Sequence, residues 1–257
     1  MSQWVIKGLR TGIKSSHYPR VKEDVPGIAP GLPEATPLPA ERAQAVAALC
    51  PTGALEAADH AVNVRLRRCV NCFRCIRNTS TPMNWQYDYE CARAASDRSD
   101  REWRLGSAFS RSVHILVVDT GDCGACLNEV KQLNNPYYNM HRLGFFLTPT
   151  PRHADVLLAV GALTEHMRVP LRKAYEAMPG PKRVVAVGAC ALSGGIFGRS
   201  FACAGGVGKQ LTIDVEVPGN PPPPLAILHG LLVAVGRKPP ASQYRRSTES
   251  TPGRPGW

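Results

Sequence analysis

The stretch that most restricts the fold is Val117-Val-Asp-Thr-Gly-Asp-Cys-Gly-Ala-Cys-Leu-Asn-Glu129. An apolar, β-type run from Val113 to Val118 feeds a turn with two glycines, and the turn carries Cys123 and Cys126. A mixed polar and apolar segment follows, so the order is strand, cysteine-bearing loop, helix. Loops at the carboxyl ends of strands in an open α/β sheet are where ligands sit. Two thiolates three residues apart can hold one metal centre. Alone, the pair fits a redox dithiol, a zinc site or an iron–sulfur site.

From Ser112 onward strands and helices alternate. Val113–Val118, Ala154–Val160, Arg183–Val187 and Leu211–Val217 read as strands. Leu127–Leu133, a segment from Thr164 to Met178, and Leu225–Val235 read as helices. Thr164 is the expected cap of the second, and Pro179-Gly180 its stop. This alternation predicts a parallel sheet with the loops after the strands along one edge. Cys123, Cys126, Cys190 in the glycine-rich loop Gly188–Gly195, and Asn220 in the loop after the fourth strand would then meet at one rim.

Nine cysteines stand in 257 residues, and the opening Met1-Ser-Gln-Trp-Val-Ile-Lys has no apolar signal segment. A reducing compartment is therefore expected, where clustered cysteines serve as ligands rather than disulfides. The longest apolar run, Leu225 to Val235, is interrupted by His229 and Gly230 and falls short of the ~20 residues a spanning helix needs. The net charge of +11 suits nucleic acid, anionic lipid or an acidic partner. The cationic residues are scattered rather than striped with aromatics, which argues against nucleic acid.

The first part of the chain divides differently. Residues 1–39, rich in Pro and Gly from Pro26 onward, read as an extended arm laid over a neighbouring surface. Residues 40–80 hold Cys50-Pro51 and then Cys69-Val-Asn-Cys72-Phe-Arg-Cys75. Two-cluster bacterial ferredoxins use the run CxxCxxCxxxCP, whose last cysteine ligates the other cluster. Here Ala40, Ala43 and Val46 stand where the first run would have its leading cysteines, and Thr79-Ser80 stand where the second would have Cys-Pro. Those losses remove the ligands of one cluster and spare those of the other. One [4Fe–4S] cluster on Cys50, Cys69, Cys72 and Cys75 is inferred, with zinc on the same thiolates as the alternative. Residues 81–111 read as a linker packed between domains, with Cys91 a buried small hydrophobe. Residues 238–257 read as a disordered tail.

Gly121–Glu129, Thr150-Pro-Arg-His-Ala-Asp155, Tyr175-Glu-Ala-Met-Pro179, Val187-Gly-Ala-Cys-Ala191 with Gly194-Gly195, and Val217-Pro-Gly-Asn-Pro221 carry a resemblance. Together they are similar to the small iron–sulfur subunit shared by respiratory complex I and membrane-bound nickel–iron hydrogenases such as formate hydrogenlyase. The segment Leu9-Arg-Thr-Gly12 to Tyr18-Pro19, with the cysteine runs, resembles the ferredoxin-type subunit of the same complexes. The chain reads as a fusion of two electron-transfer subunits. The fold class implied is α/β: a flavodoxin-like parallel-sheet domain over residues 112–237, preceded by a small ferredoxin-like α+β domain and the arm.

The resemblance implies a second [4Fe–4S] cluster at the rim on Cys123, Cys126 and Cys190. Cys123-x-x-Cys126 with Glu129 is the hydrogenase-like spacing; complex I subunits carry adjacent cysteines there. The family's fourth ligand is the cysteine of a Pro-Gly-Cys-Pro loop, and this chain has Asn220 in its place. Three outcomes stay open: Cys203 supplies the fourth thiolate, Asn220 or a water does, or the rim holds no cluster. The implied partners are a hydrogenase or complex I-type large subunit, antiporter-like membrane subunits and other iron–sulfur subunits. The implied place is peripheral, on the cytoplasmic face of the inner membrane, with a quinone, protons or another acceptor at the end of the chain of carriers. No nucleophile–base pair or nucleotide loop is visible, so no turnover is expected of this chain alone. The rivals are a structural subunit that has lost the rim cluster and a zinc-stabilised nucleic-acid module.

Overall fold

A computed structural model describes residues 2–12, 14–77, 83–94, 109 and 111–241. Most of the expected linker and most of the expected tail lie outside the described residues, as do Thr79 and Ser80.

The chain opens with helix α1 (Gln3–Thr11) and then runs extended through β1 (Leu32–Pro33) and β2 (Thr36–Pro37). The arm expected to be extended throughout thus begins as a helix. Its first residues place Val5, Ile6 and Leu9 on one side and Lys7 and Arg10 on the other, a helical period that the proline-rich part lacks. Helix α2 (Ala40–Ala48), the hairpin β3 (Leu55–Ala58) and β4 (Ala61–Val64), and helix α3 (Arg74–Arg77) form the small domain. Strand β2 pairs antiparallel with β4, so residues of the arm supply the third strand of this sheet. The domain core gathers Leu38, Ala43, Val46, Leu55, Val62 and Met83. Two of the positions where leading cysteines would stand, Ala43 and Val46, are therefore filled by apolar packing.

Strand β5 (Trp85–Gln86) pairs with β1, and β6 (Arg93–Ala94) crosses to the large domain. That domain comprises β7 (Val113–Asp119), α4 (Ala125–Gln132), β8 (Phe145–Leu147), β9 (Val156–Val160), β10 (Leu163–Thr164), α5 (Arg168–Ala177), β11 (Arg183–Val187), α6 (Gly188–Ser193), β12 (Cys203–Gly205), β13 (Val215–Val217) and α7 (Pro224–Ala234). Its sheet has the order β6-β13-β11-β9-β7-β8. All neighbours pair in parallel except β6, which adds antiparallel to β13. Numbered along the chain, the parallel strands lie 2-1-3-4-5, the doubly wound order whose switch point falls between β7 and β9. The segment expected to be a linker therefore completes this sheet at one edge.

Strand β9 is wholly buried, as a central parallel strand covered on both faces must be. On one face Ile115, Val156, Leu158, Val185 and Val217 pack with α7, every residue of which is buried. On the other face Leu116, Leu157, Val184 and Ala186 pack with Leu171 of α5. Helix α7 is apolar all round apart from His229, the pattern of a buried helix. The imidazole accepts from the Ala92 N–H through Nδ1 at 3.2 Å and lies 3.3 Å from the Pro239 carbonyl through Nε2, which fits the neutral ring. Among the described residues no helix is long and apolar enough to cross a membrane.

Three local expectations are corrected. Thr164 does not cap a helix: it lies in β10, paired with Cys203, and its hydroxyl donates to the Thr120 carbonyl at 3.1 Å, so α5 starts only at Arg168. The glycine-rich segment after β11 is not all loop, because Gly188–Ser193 winds into α6. The strand expected over Leu211–Val217 is confined to Val215–Val217, and Leu211 and Ile213 pack as irregular chain instead.

Candidate metal centres

The first site lies in the small domain. Cys50, Cys69, Cys72 and Cys75 line one pocket, walled by Leu55, Val70, Phe73 and Trp85. Cys50 follows α2, Cys69 and Cys72 ride on the turn that leads into α3, and Cys75 lies in α3 itself. That turn is strained: Asn71 and Phe73 have φ of 51° and 60°, a left-handed region that non-glycine residues rarely enter. Contacts hold it there. Asn71 Nδ2 donates to the Gly31 carbonyl at 3.3 Å, and the Phe73 ring lies 5.2 Å from that of Trp85. The arm and the Trp85 strand thus shape the cysteine loop, a role that no spacing in the sequence signals.

The thiols of this site feel one another. Burial pushes Cys69 up to about 11; the Asn71 N–H opposes it, and Cys75, Cys50 and Cys72 add repulsion. Burial also raises Cys75, with Cys72 adding to it. At Cys50 burial acts upward too, but the N–H groups of Thr52, Ala54 and Leu55 outweigh it and leave the thiol below its usual range. The Ala54 N–H nitrogen lies 3.2 Å from the sulfur. Four thiols facing one pocket, with N–H groups directed at sulfur, fit an iron–sulfur cluster, whose sulfurs take such hydrogen bonds. Among the described residues no group of three or more His, Cys, Asp or Glu is placed to hold a single metal ion.

The second site lies at the carboxyl ends of the parallel strands. Cys123 and Cys126 follow β7 at the switch point, Cys190 lies in α6 after β11, and Asn220 follows β13. Asp122 shapes the first loop: its carboxylate accepts from the Gly124 and Leu127 N–H groups, both at 3.0 Å, at the start of α4. Burial raises Cys126, and Asp122, Cys190 and Cys123 push the same way. Burial raises Cys190, followed by Cys123, Asp122 and Cys203. The three cysteines expected at the rim are therefore brought together. The backbone leaves room for their sulfurs: a Cβ on Gly188 would lie 2.7 Å from Cys126 Sγ, and one on Gly195 would lie 2.7 Å from Cys190 Sγ. This donor set also fits a cluster.

The two candidates for the fourth ligand are placed differently. Cys203 is buried with Cys190 and Ala162 in one small cluster. The Nδ2 of Asn220 donates to the Val70 carbonyl of the small domain at 3.3 Å. Cys91 packs between the cores of the two domains, with its Sγ 3.8 Å from the Pro218 carbonyl. Burial pushes its thiol up to about 12, as a small apolar packing residue tolerates.

The two sites adjoin. The 3₁₀ turn Leu66–Arg68, just before Cys69, packs on α6, which carries Cys190. Arg67 Nε meets Glu216 Oε1 of β13 at 3.1 Å. Burial holds the Glu216 carboxyl above the usual range, and Arg67 and Arg93 pull it back down.

A doubly wound sheet with cysteines after two of its parallel strands, Cys123 and Cys126 after β7 and Cys190 after β11, defines the class of α/β subunit. The family model described as NADH ubiquinone oxidoreductase, 20 Kd subunit, matches residues 123–234. The chain belongs to this family. It is 41% identical over 128 residues to formate hydrogenlyase subunit 7 of Escherichia coli K12, covering half of each protein. It is 36% identical over 143 residues to the probable membrane-bound hydrogenase subunit mbhJ of Pyrococcus furiosus, covering 54% of this chain and 86% of that one. An uncharacterised protein of Methanocaldococcus jannaschii is 44% identical over 122 residues, which are 48% of this chain and 82% of that one. Among solved structures, the membrane-bound sulfane sulfur reductase, an archaeal respiratory membrane complex, has a chain 26% identical with a TM-score of 0.44; the match covers 54% of this chain and 84% of that one.

Proposed function

We propose that this chain is an iron–sulfur electron-transfer subunit of a membrane-associated respiratory complex. The observation that carries the reading is the adjacency of the two thiol groups. Cys50, Cys69, Cys72 and Cys75 share one pocket, and the turn before Cys69 packs on the helix that bears Cys190. Iron–sulfur clusters, when bound, supply one-electron carriers. The chain's own residues would do the rest. Cys50, Cys69, Cys72 and Cys75 would hold one cluster; Cys123, Cys126, Cys190 and Cys203 would hold the other. The Phe73 and Trp85 rings would exclude water from the first, and the Ala54 N–H would stabilise charge on the Cys50 sulfur.

Cys203 is supported as the fourth rim ligand by its burial beside Cys190, and by thiolate being a far better partner for iron than an amide oxygen. The partners in this reading are a hydrogenase or complex I-type large subunit, antiporter-like membrane subunits and further iron–sulfur subunits. Attachment to the membrane would be peripheral, on the cytoplasmic face. Electron paramagnetic resonance of the reduced, purified chain tests the proposal: two interacting signals support it, and elemental analysis that finds zinc in place of iron refutes it.

A further inference from the structure

Helix α1 lies outside both cores. None of its side chains is buried: Trp4 is 76% exposed, Leu9 75% and Ile6 39%. At 3.6 residues per turn, Trp4, Val5, Ile6 and Leu9 cover a broad apolar arc, and Gln3, Lys7, Arg10 and Thr11 fill the opposite one. The helix has nine residues, a central Gly8 and no side-chain bond at its N-cap. Isolated helices shorter than ~12–15 residues are marginal in water, and glycine weakens them further. Such a helix needs a surface to lie on. Charge indicates which: residues 2–22 contain Lys7, Arg10, Lys14, Arg20 and Lys22 and no Asp or Glu.

We propose that α1 is an amphipathic anchor that lies in the interface of an anionic membrane. Trp4, Ile6 and Leu9 enter the boundary between headgroups and acyl chains, and Lys7 and Arg10 face lipid phosphates. An apolar arc this broad, edged by a tryptophan, suits a lipid interface better than the narrow stripe that one protein groove reads. The inference rests on α1 alone and not on either set of cysteines.

The test uses the full chain, purified with its iron, and sedimentation with vesicles of phosphatidylcholine with and without phosphatidylglycerol. The chain should bind the anionic vesicles and not the neutral ones. The pair Lys7→Gln and Arg10→Gln should weaken binding about thirtyfold, at ~1 kcal/mol for each cation near the surface. Leu9→Asp should abolish it, with iron content and elution volume unchanged. Equal binding by Leu9→Asp and the parent chain would overturn the proposal, because the basic body would then be the binding surface. So would a parent chain that ignores anionic vesicles, or one that self-associates through α1 instead. Cys72→Ser should alter iron content and leave vesicle binding intact, which separates this proposal from the cluster assignments.

Discussion

The side-chain amide of Asn220 donates to the carbonyl of Val70, the residue that follows Cys69. One hydrogen bond thus ties the loop after the last parallel strand to the cysteine turn of the small domain. The position at which the resemblance implies a ligand is occupied by a strut between the two sites.

Asn220→Ala should remove this bond and cost about 1 kcal/mol. Asn220→Asp should cost more, because it sets a carboxylate against a carbonyl. Denaturant unfolding checks both. Iron content should stay at the parent level; loss of iron in Asn220→Ala would make Asn220 a ligand.

Cys203→Ala should remove the rim cluster and leave the signal of the other in place. Paramagnetic spectra before and after the change give the answer. An unaltered rim signal would return Cys203 to the role of a packed thiol beside Cys190.

Gly188 has φ of 86°, and a Cβ added there would lie 2.7 Å from Cys126 Sγ. Gly188→Ala should destabilise the large domain by about 1–3 kcal/mol through backbone strain. It should also displace Cys126, so iron should fall at the rim alone. Thermal unfolding and iron analysis of the variant measure the two effects.

Burial lowers the pKa of His229. The unfolded chain then binds more protons than the folded one between the two values, so stability falls as pH falls through the ordinary histidine value of about 6.5. The unfolding midpoint should drop between about pH 7.5 and about pH 5, on either side of that value. His229→Gln should flatten the dependence while lowering stability at neutral pH. A parent profile as flat as that of His229→Gln would contradict this.

The rim was legible because strands Val113–Val118 and Arg183–Val187 carry a strong β pattern and each leads to a cysteine. Parallel topology then brings those loops to one edge. The hidden parts depend on partners distant in sequence. Strand β6 exists because Arg93–Ala94 finds an unpaired edge of β13. The two residues of β10 are held by Cys203–Gly205, not by their own pattern. Phe73 takes a left-handed conformation beside Trp85, a contact that no local propensity announces. The helical start of the arm was masked by the proline-rich stretch that follows it.

The most direct test of the central claim is iron and acid-labile sulfide per chain in three anaerobically purified proteins. The parent should hold about eight irons, as two [4Fe–4S] clusters require, and Cys72→Ser and Cys190→Ser should each hold about four. Each single variant should lose a different paramagnetic signal. About four irons in the parent, unchanged by Cys190→Ser, would contradict the account.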